Sequence, residues 1–302
     1  MILLATFGRQ ARQTVLAGIA ALGISAMAVP AMAQPAMWAV KDADSTIYFL
    51  GTVHLLKPET EWQTERLKAA IAESKELWLE LPTTDPEKMA GEMMGLVARY
   101  GLAPNQRLSK DLTPEEMKTL DEAARLSGLT AAQLDIFRPW FAALTIATSA
   151  MTHAGYDPTS GVDSKIEGIF GAREITPKGL ETAEEQIKVF AGMPREDELD
   201  YLRQTIKDYR EAPTELDEMV ANWAKGDLAA MEDMFVTEMK EEDPALYDAI
   251  LTKRNANWVV KIEEMLKGSG TIFVAVGAGH LIGPDSVIAM LDARGNKAER
   301  VQ

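Results

Sequence analysis

Two of the three histidines in this 302-residue chain stand in matching contexts, more than two hundred positions apart. Thr46 to Pro58 reads TIYFLGTVHLLKP, and Thr271 to Pro284 reads TIFVAVGAGHLIGP. In each, a run of β-forming residues reaches a glycine three positions before the histidine, His54 or His280. Both imidazoles are therefore expected just past the carboxyl end of a buried strand, the edge at which open parallel sheets bind ligands. Two converging neutral imidazoles suit a divalent metal, and a carboxylate would complete a three-ligand set that leaves positions open to water. Glu80, which closes the apolar segment Glu76 to Leu81, is the first candidate for that third ligand. Glu181 is a second strand-end carboxylate, and Asp163, in Gly161-Val162-Asp163, is a weaker third. A metal held this way polarises a carbonyl and lowers the pKa of bound water toward ~7, leaving a spare carboxylate as general base.

The pairing carries this reading, because one Gly-x-x-His alone describes a core or capping histidine equally well. Glu80 alone could be an exposed strand end. His153, at the close of an alanine-rich helical segment before Gly155, is explained as a cation near a helix C-terminus and is left outside the site. For Arg254 and Asn255, periodicity alone favours a surface arginine stacked on Trp258. The other reading is a guanidinium and an amide that hold a substrate carboxylate or an oxyanion. The chain has no Gly-x-Ser-x-Gly elbow, P-loop or His-Glu-x-x-His, so those chemistries lose their main support. With no cysteine, thiolate catalysis, Cys-ligated zinc and disulfides are excluded.

The elements that must position these residues can be read around them. Ala36 to Val40 and Thr46 to Leu50 predict a hairpin about the turn Lys41-Asp42-Ala43-Asp44. A helical period over Glu61 to Lys75 leads into the strand ending at Glu80, a βαβ unit with parallel strands and a right-handed crossover. The middle of the chain is helical. Thr113-Pro114-Glu115-Glu116 and Thr182-Ala183-Glu184-Glu185 are capping boxes, and Pro139 to Ala154 is an apolar helix. A short strand is expected before Glu181, and a long helix from Ala245 to Leu266 should feed the strand Thr271 to Val276. The glycine of each Gly-x-x-His is expected to let the backbone turn sharply beneath the imidazole. The fold class is α/β: a central, mostly parallel sheet flanked by helices, with a large helical insertion in the middle of the chain.

The N-terminus reads as a secretory signal peptide. Arg9 and Arg12 precede an apolar run from Thr14 to Val29, followed by Ala31-Met32-Ala33. Cleavage after Ala33 divides the chain into residues 1–33 and a single domain over 34–302, exported to the periplasm or beyond the cell. The apolar run is shorter than the ~20 residues of a membrane span, so no stable span is expected after cleavage. A formal net charge of −15 argues against nucleic acid as a partner and leaves a peptide or small-molecule substrate. Oligomeric state is left open.

As an ordered set, these motifs resemble the TraB/GumN family, related to the Tiki proteases and more distantly to the erythromycin-esterase and ChaN-like proteins. The resemblance runs from Phe49-Leu50-Gly51-Thr52-Val53-His54 through Leu79-Glu80-Leu81-Pro82, Arg138-Pro139-Trp140 and Gly161-Val162-Asp163. It continues through Gly179-Leu180-Glu181-Thr182 with Gln186, then Arg254-Asn255, to Val276-Gly277-Ala278-Gly279-His280-Leu281 with Gly283. It implies an α/β fold with both histidines and a strand-end glutamate at one site. It also implies metal-dependent hydrolysis, with manganese or cobalt before zinc, since Tiki proteins are manganese- or cobalt-dependent. The resulting expectation is an exported peptidase with His54, Glu80 and His280 on the metal. Glu181 is a fourth ligand or general base, and Arg254 and Asn255 position substrate. The alternatives are a non-catalytic periplasmic protein that binds a peptide or signal molecule, and an esterase or amidase using the same site.

Overall fold

The computed structural model describes residues 33–82 and 86–302. The proposed signal segment lies almost wholly outside them. Six strands form one sheet: β1 (Met37–Lys41), β2 (Ser45–Thr52), β3 (Glu76–Leu79), β4 (Lys178–Gly179), β5 (Gly270–Gly277) and β6 (Ala298–Arg300). Their order is β4-β3-β5-β2-β1-β6. The four strands from β4 to β2 run parallel, while β1 is antiparallel to both of its neighbours.

β5 is central because its sequence has no face for water. From Ile272 to Gly277 every residue is buried, which is the pattern of a parallel strand covered on both sides. It lies between β2 and β3, with Thr52 opposite Gly277 and Leu79 opposite Ala275. The strands β2 and β3 are therefore parallel, as expected of a βαβ unit, but they are separated by a strand that arrives about two hundred residues later in the chain. The predicted hairpin forms between β1 and β2. Asp42 shapes its turn by accepting hydrogen bonds from the N–H groups of Asp44 (3.1 Å) and Ser45 (2.8 Å).

The helical layer sits on this sheet through helix Pro139–His153, which is apolar on two sides. Trp140, Leu144, Ala147 and Met151 join the core against the sheet. Ala142, Ala143, Ile146 and Ala150 join a second cluster with Leu108, Leu120, Leu134 and Leu202. Alanines on that second side let helix Arg195–Asp208 approach closely, which explains a segment rich in alanine where Leu would ordinarily fill a core. Both predicted capping boxes are present, with Thr113 and Glu116 at one helix and Thr182 and Glu185 at another.

The predicted helix over Ala245 to Leu266 contains a wide turn. Pro244–Tyr247 is α-helical, Asp248–Thr252 forms a π-helical turn, and Lys253–Leu266 continues as α-helix. The preceding helical stretch carries a second π-turn at Asp233–Glu238. Such turns widen the helix by one residue and redirect its side chains, and they recur at functional sites. No helix among the described residues is long and apolar enough to cross a membrane.

Candidate functional site

The parallel strands deliver their carboxyl ends side by side. Four of the expected residues emerge there: His54 after β2, Glu80 after β3, Glu181 after β4 and His280 after β5. Because β2 and β5 are neighbours, the two Gly-x-x-His segments converge; hydrogen bonds join His280 and Glu80 to Arg254 and Asn255 on helix Lys253–Leu266, while His54 pairs with Asp163.

His54 Nδ1 lies 2.7 Å from Asp163 Oδ2. The other Asp163 oxygen accepts the Thr52 hydroxyl at 2.7 Å, so the carboxylate is held on both sides. Asp163 sits in the first turn of helix Val162–Gly171, where the helix dipole favours a negative charge. The Val162 N–H donates to Val53 O at 2.9 Å and ties that turn to the loop bearing His54. Facing a carboxylate, Nδ1 carries the proton, and the lone pair of neutral His54 is left on Nε2. Nε2 points toward Glu80 Oε1 at 3.9 Å, beyond hydrogen-bond distance.

Glu80 is 4% exposed, and both of its oxygens are engaged. Oε1 accepts the Gly277 N–H at 2.7 Å, while Oε2 accepts Arg254 Nη2 at 2.7 Å and Gln186 Nε2 at 3.2 Å. Burial opposes ionisation, but the charge of the Arg254 guanidinium outweighs it and holds the carboxyl well below the usual carboxylate range. Glu181 is set alongside because the chain after β4 continues the ladder, with the Glu181 N–H donating to Glu80 O at 3.1 Å. Its carboxylate receives Arg254 Nε at 2.9 Å and also Nη2, a bidentate pairing.

Arg254 and Asn255 are both buried, which overturns the surface reading that periodicity favoured. The guanidinium does lie over the Trp258 ring, 4.7 Å from its centroid, but inside the protein. Arg254 Nη1 donates to Ile250 O at 3.0 Å and meets His280 Nε2 at 2.8 Å. On the other side of that ring, His280 Nδ1 lies 2.6 Å from Asn255 Oδ1. Asn255 Nδ2 donates to Asp285 O at 2.8 Å, which fixes which end of the amide faces the histidine. His280 therefore donates through Nδ1 and accepts through Nε2, as a neutral imidazole. Burial, reinforced by the charge of Arg254, lowers its pKa to about 3.

The glycines serve the site differently from the sequence expectation. Neither Gly51 nor Gly277 has a positive φ, and Gly51 lies within β2. What each provides is space. A Cβ on Gly51 would stand 3.0 Å from Ala278 Cα, obstructing the close passage of the two histidine segments. A Cβ on Gly277 would stand 3.0 Å from Glu80 Oε1, 3.4 Å from His54 Nε2 and 3.6 Å from His280 Cδ2. The point above Gly277 is where all three groups meet.

That point opens into a cavity of about 30 Å³, room enough for a water or an ion, lined by His54, Glu80, Gly277 and His280. Phe235, Met239, Ile250 and Leu251 close it from above. Three of these four belong to the two π-turns, so the acidic helical insertion covers the site with an apolar roof. A wider cleft of about 860 Å³ lies alongside, walled by residues of helices Ala183–Ala191 and Lys253–Leu266, and it reaches Glu181, Arg254 and Trp258.

The donor chemistry suits a divalent cation. Glu80 Oε1 is 3.9 Å from His54 Nε2 and 3.7 Å from His280 Nε2; the carboxyl groups of Glu80 and Glu181 face one guanidinium, and that of Asp163 faces His54. One contact obstructs it: Arg254 occupies the His280 Nε2 lone pair. Among the described residues, no group of three or more such side chains is arranged to hold a metal ion as it stands.

Sequence reasoning ranked Asp163 below the two glutamates and did not find the roof. Asp163 is 109 residues from its histidine, and the only signal was its place in a Gly-Val-Asp run opening a helix. The roof residues are ordinary apolar positions whose direction depends on the π-turns.

Fold and site together define an α/β protein with a buried His–Glu–Arg centre at the carboxyl ends of parallel strands. The chain belongs to the TraB/PrgY/gumN family, whose model matches residues 36–300. It is 20% identical over 270 residues to a protein of Treponema pallidum (strain Nichols) described only as uncharacterized, a match covering 85% of this chain and 80% of the other. No solved structure matches it.

Proposed function

We propose that the protein is an exported metal-dependent hydrolase, a peptidase acting on peptides or related small molecules, with His54, Glu80 and His280 as the metal-holding set. The observation that carries this reading is the convergence of His54 Nε2, Glu80 Oε1 and His280 on one cavity, with the His54 lone pair free of any hydrogen bond. When bound, the metal would supply Lewis-acid polarisation of the scissile carbonyl and a more acidic water. The family resemblance favours manganese or cobalt over zinc.

The remaining work falls to the chain. Asp163 fixes the His54 tautomer so that Nε2 is the ligating nitrogen, the carboxylate–histidine arrangement common behind metals. Asn255 does the same for His280 with a neutral oxygen. Glu181, expected as a fourth ligand or base, has both oxygens on Arg254 and serves here to hold that guanidinium. Arg254 and Asn255, expected to grip substrate, direct their donors to protein groups. The apolar roof lowers the polarity around the centre, which strengthens the charge interactions beneath it. The 860 Å³ cleft beside the centre is wide enough to receive the flanking parts of a substrate.

The test is metal analysis of the purified protein together with cleavage of a peptide library, in wild type, His54→Ala, His280→Ala and Glu80→Gln. Wild type should retain manganese or cobalt and cleave peptides, and each variant should lose both. Equal and negligible metal in all four would remove the reading.

A second reading, capture of a peptide or signal molecule without turnover, is favoured by one observation: Arg254 and Glu80 of the centre are hydrogen-bonded to protein groups, with Arg254 on His280 Nε2, beside a cleft of about 860 Å³. Peptide binding that survives Glu80→Gln, with no cleavage by wild type, would select it. Export is supported by Arg9, Arg12 and the apolar run before Ala33; N-terminal sequencing of the secreted protein, expected to begin at Gln34, tests it.

A further inference from the structure

Arg254 holds a position that a bound cation would contest. Its side chain is 5% exposed, and the guanidinium donates to Glu80, to both oxygens of Glu181 and to the Ile250 carbonyl, and caps the Nε2 lone pair of His280. Each of these acceptors except the Ile250 carbonyl belongs to a group that the sequence pattern marks for a metal. Without Arg254, two buried carboxylates would face each other with no counter-charge, which the interior tolerates poorly. With it, the centre is stable while empty.

We propose that Arg254 is the resident counter-ion of the site and the residue that sets its cation affinity: a divalent ion binds only by taking His280 Nε2 from the guanidinium. Bidentate pairing with Glu181 gives Arg254 a place to retain when that contact breaks, so the exchange needs no exit to solvent. Trp258 supports this: its ring lies against both the guanidinium, at 4.7 Å, and His280, with ring centroids 4.3 Å apart, and would flank the guanidinium in either position. A monovalent ion brings no more charge than the guanidinium it must move from His280, whereas a divalent ion brings twice as much to the buried carboxylates, so the device favours divalent ions. The proposal rests on the metal-dependent reading above.

The experiment is calorimetric titration of Mn²⁺ into the purified protein, comparing wild type with Arg254→Gln, Arg254→Lys and His54→Ala, with folding checked by circular dichroism. Removing a positive charge a few ångströms from the ion should tighten Mn²⁺ binding by at least about tenfold in Arg254→Gln. Arg254→Lys keeps the charge but cannot reach Glu80, Glu181 and His280 together, so a smaller, several-fold gain is expected; it carries the test if the glutamine variant does not fold. His54→Ala should abolish binding in every background. Folded Arg254 variants that bind Mn²⁺ no more tightly than wild type would overturn the proposal while leaving the metal site standing. Absence of Mn²⁺ binding in all variants would remove both.

Discussion

His54 and His280 occupy the same place in nearly the same local sequence, and their surroundings make them different groups. The His54 side chain is 17% exposed, backed by an anionic carboxylate, and presents a free lone pair. The His280 side chain is 3% exposed, backed by a neutral amide, and has its lone pair covered by a guanidinium. A repeated motif thus specifies where an imidazole is placed, while residues far away in the chain decide its hydrogen-bond partners and what it can bind.

The sharpest way to break this asymmetry is at Glu80, the one group that faces both histidines. Glu80→Ala leaves Arg254 with half its charge partners and the Gly277 N–H unmet, and should cost about 3–5 kcal/mol in urea unfolding. Next in size is the pair itself. His280→Ala empties a fully packed position with hydrogen bonds on both nitrogens and should cost about 2–3 kcal/mol, against about 1 kcal/mol for His54→Ala. Equal losses would show that the two environments are energetically alike. Asp163→Asn tests the backing group: it should weaken Mn²⁺ binding about 10- to 100-fold in the proposed site, with little change in unfolding.

The smallest effect is a pH slope. Because burial holds His280 neutral down to about 3 against an ordinary value of 6.5, the unfolded chain binds the extra proton first as pH falls. Its share of stability is complete above about pH 6.5 and is lost below it, by at most about 1.4 kcal/mol per pH unit. Between pH 6.5 and 5, above the range where the depressed Glu80 adds its own loss, His280→Gln should flatten the slope of unfolding free energy against pH.

Much of this centre was legible because its parts are local. A β-run, a glycine and a histidine are contiguous, Glu80 closes its own strand, and the Thr182 capping box marks where Glu181 leaves the sheet edge. What was not legible depends on pairings between distant segments. Nothing near β2 or β3 states that β5 will separate them, and Asp163 finds His54 only once helix Val162–Gly171 docks on the loop after β2. Periodicity alone placed Arg254 at the surface, and only the family resemblance brought it to the site, because helical period does not say which face is covered when both neighbours of the helix come from elsewhere in the chain. The glycines were located for the right positions and the wrong property, since close approach, unlike positive φ, is visible only against its neighbour.

The strand order also governs when the site can come into being. β5 supplies the only parallel partner of β2 and the longer of the two partners of β3, yet it starts at Gly270. A chain emerging from the ribosome would carry both edges uncovered until the long helical segment between β3 and β5 had followed, a slow, long-range closure of the kind that exposes chains to aggregation. The last of the parallel strands to arrive brings the Gly277 N–H and leads into His280, so the parallel part of the sheet and the cluster at its carboxyl edge are completed by the same segment.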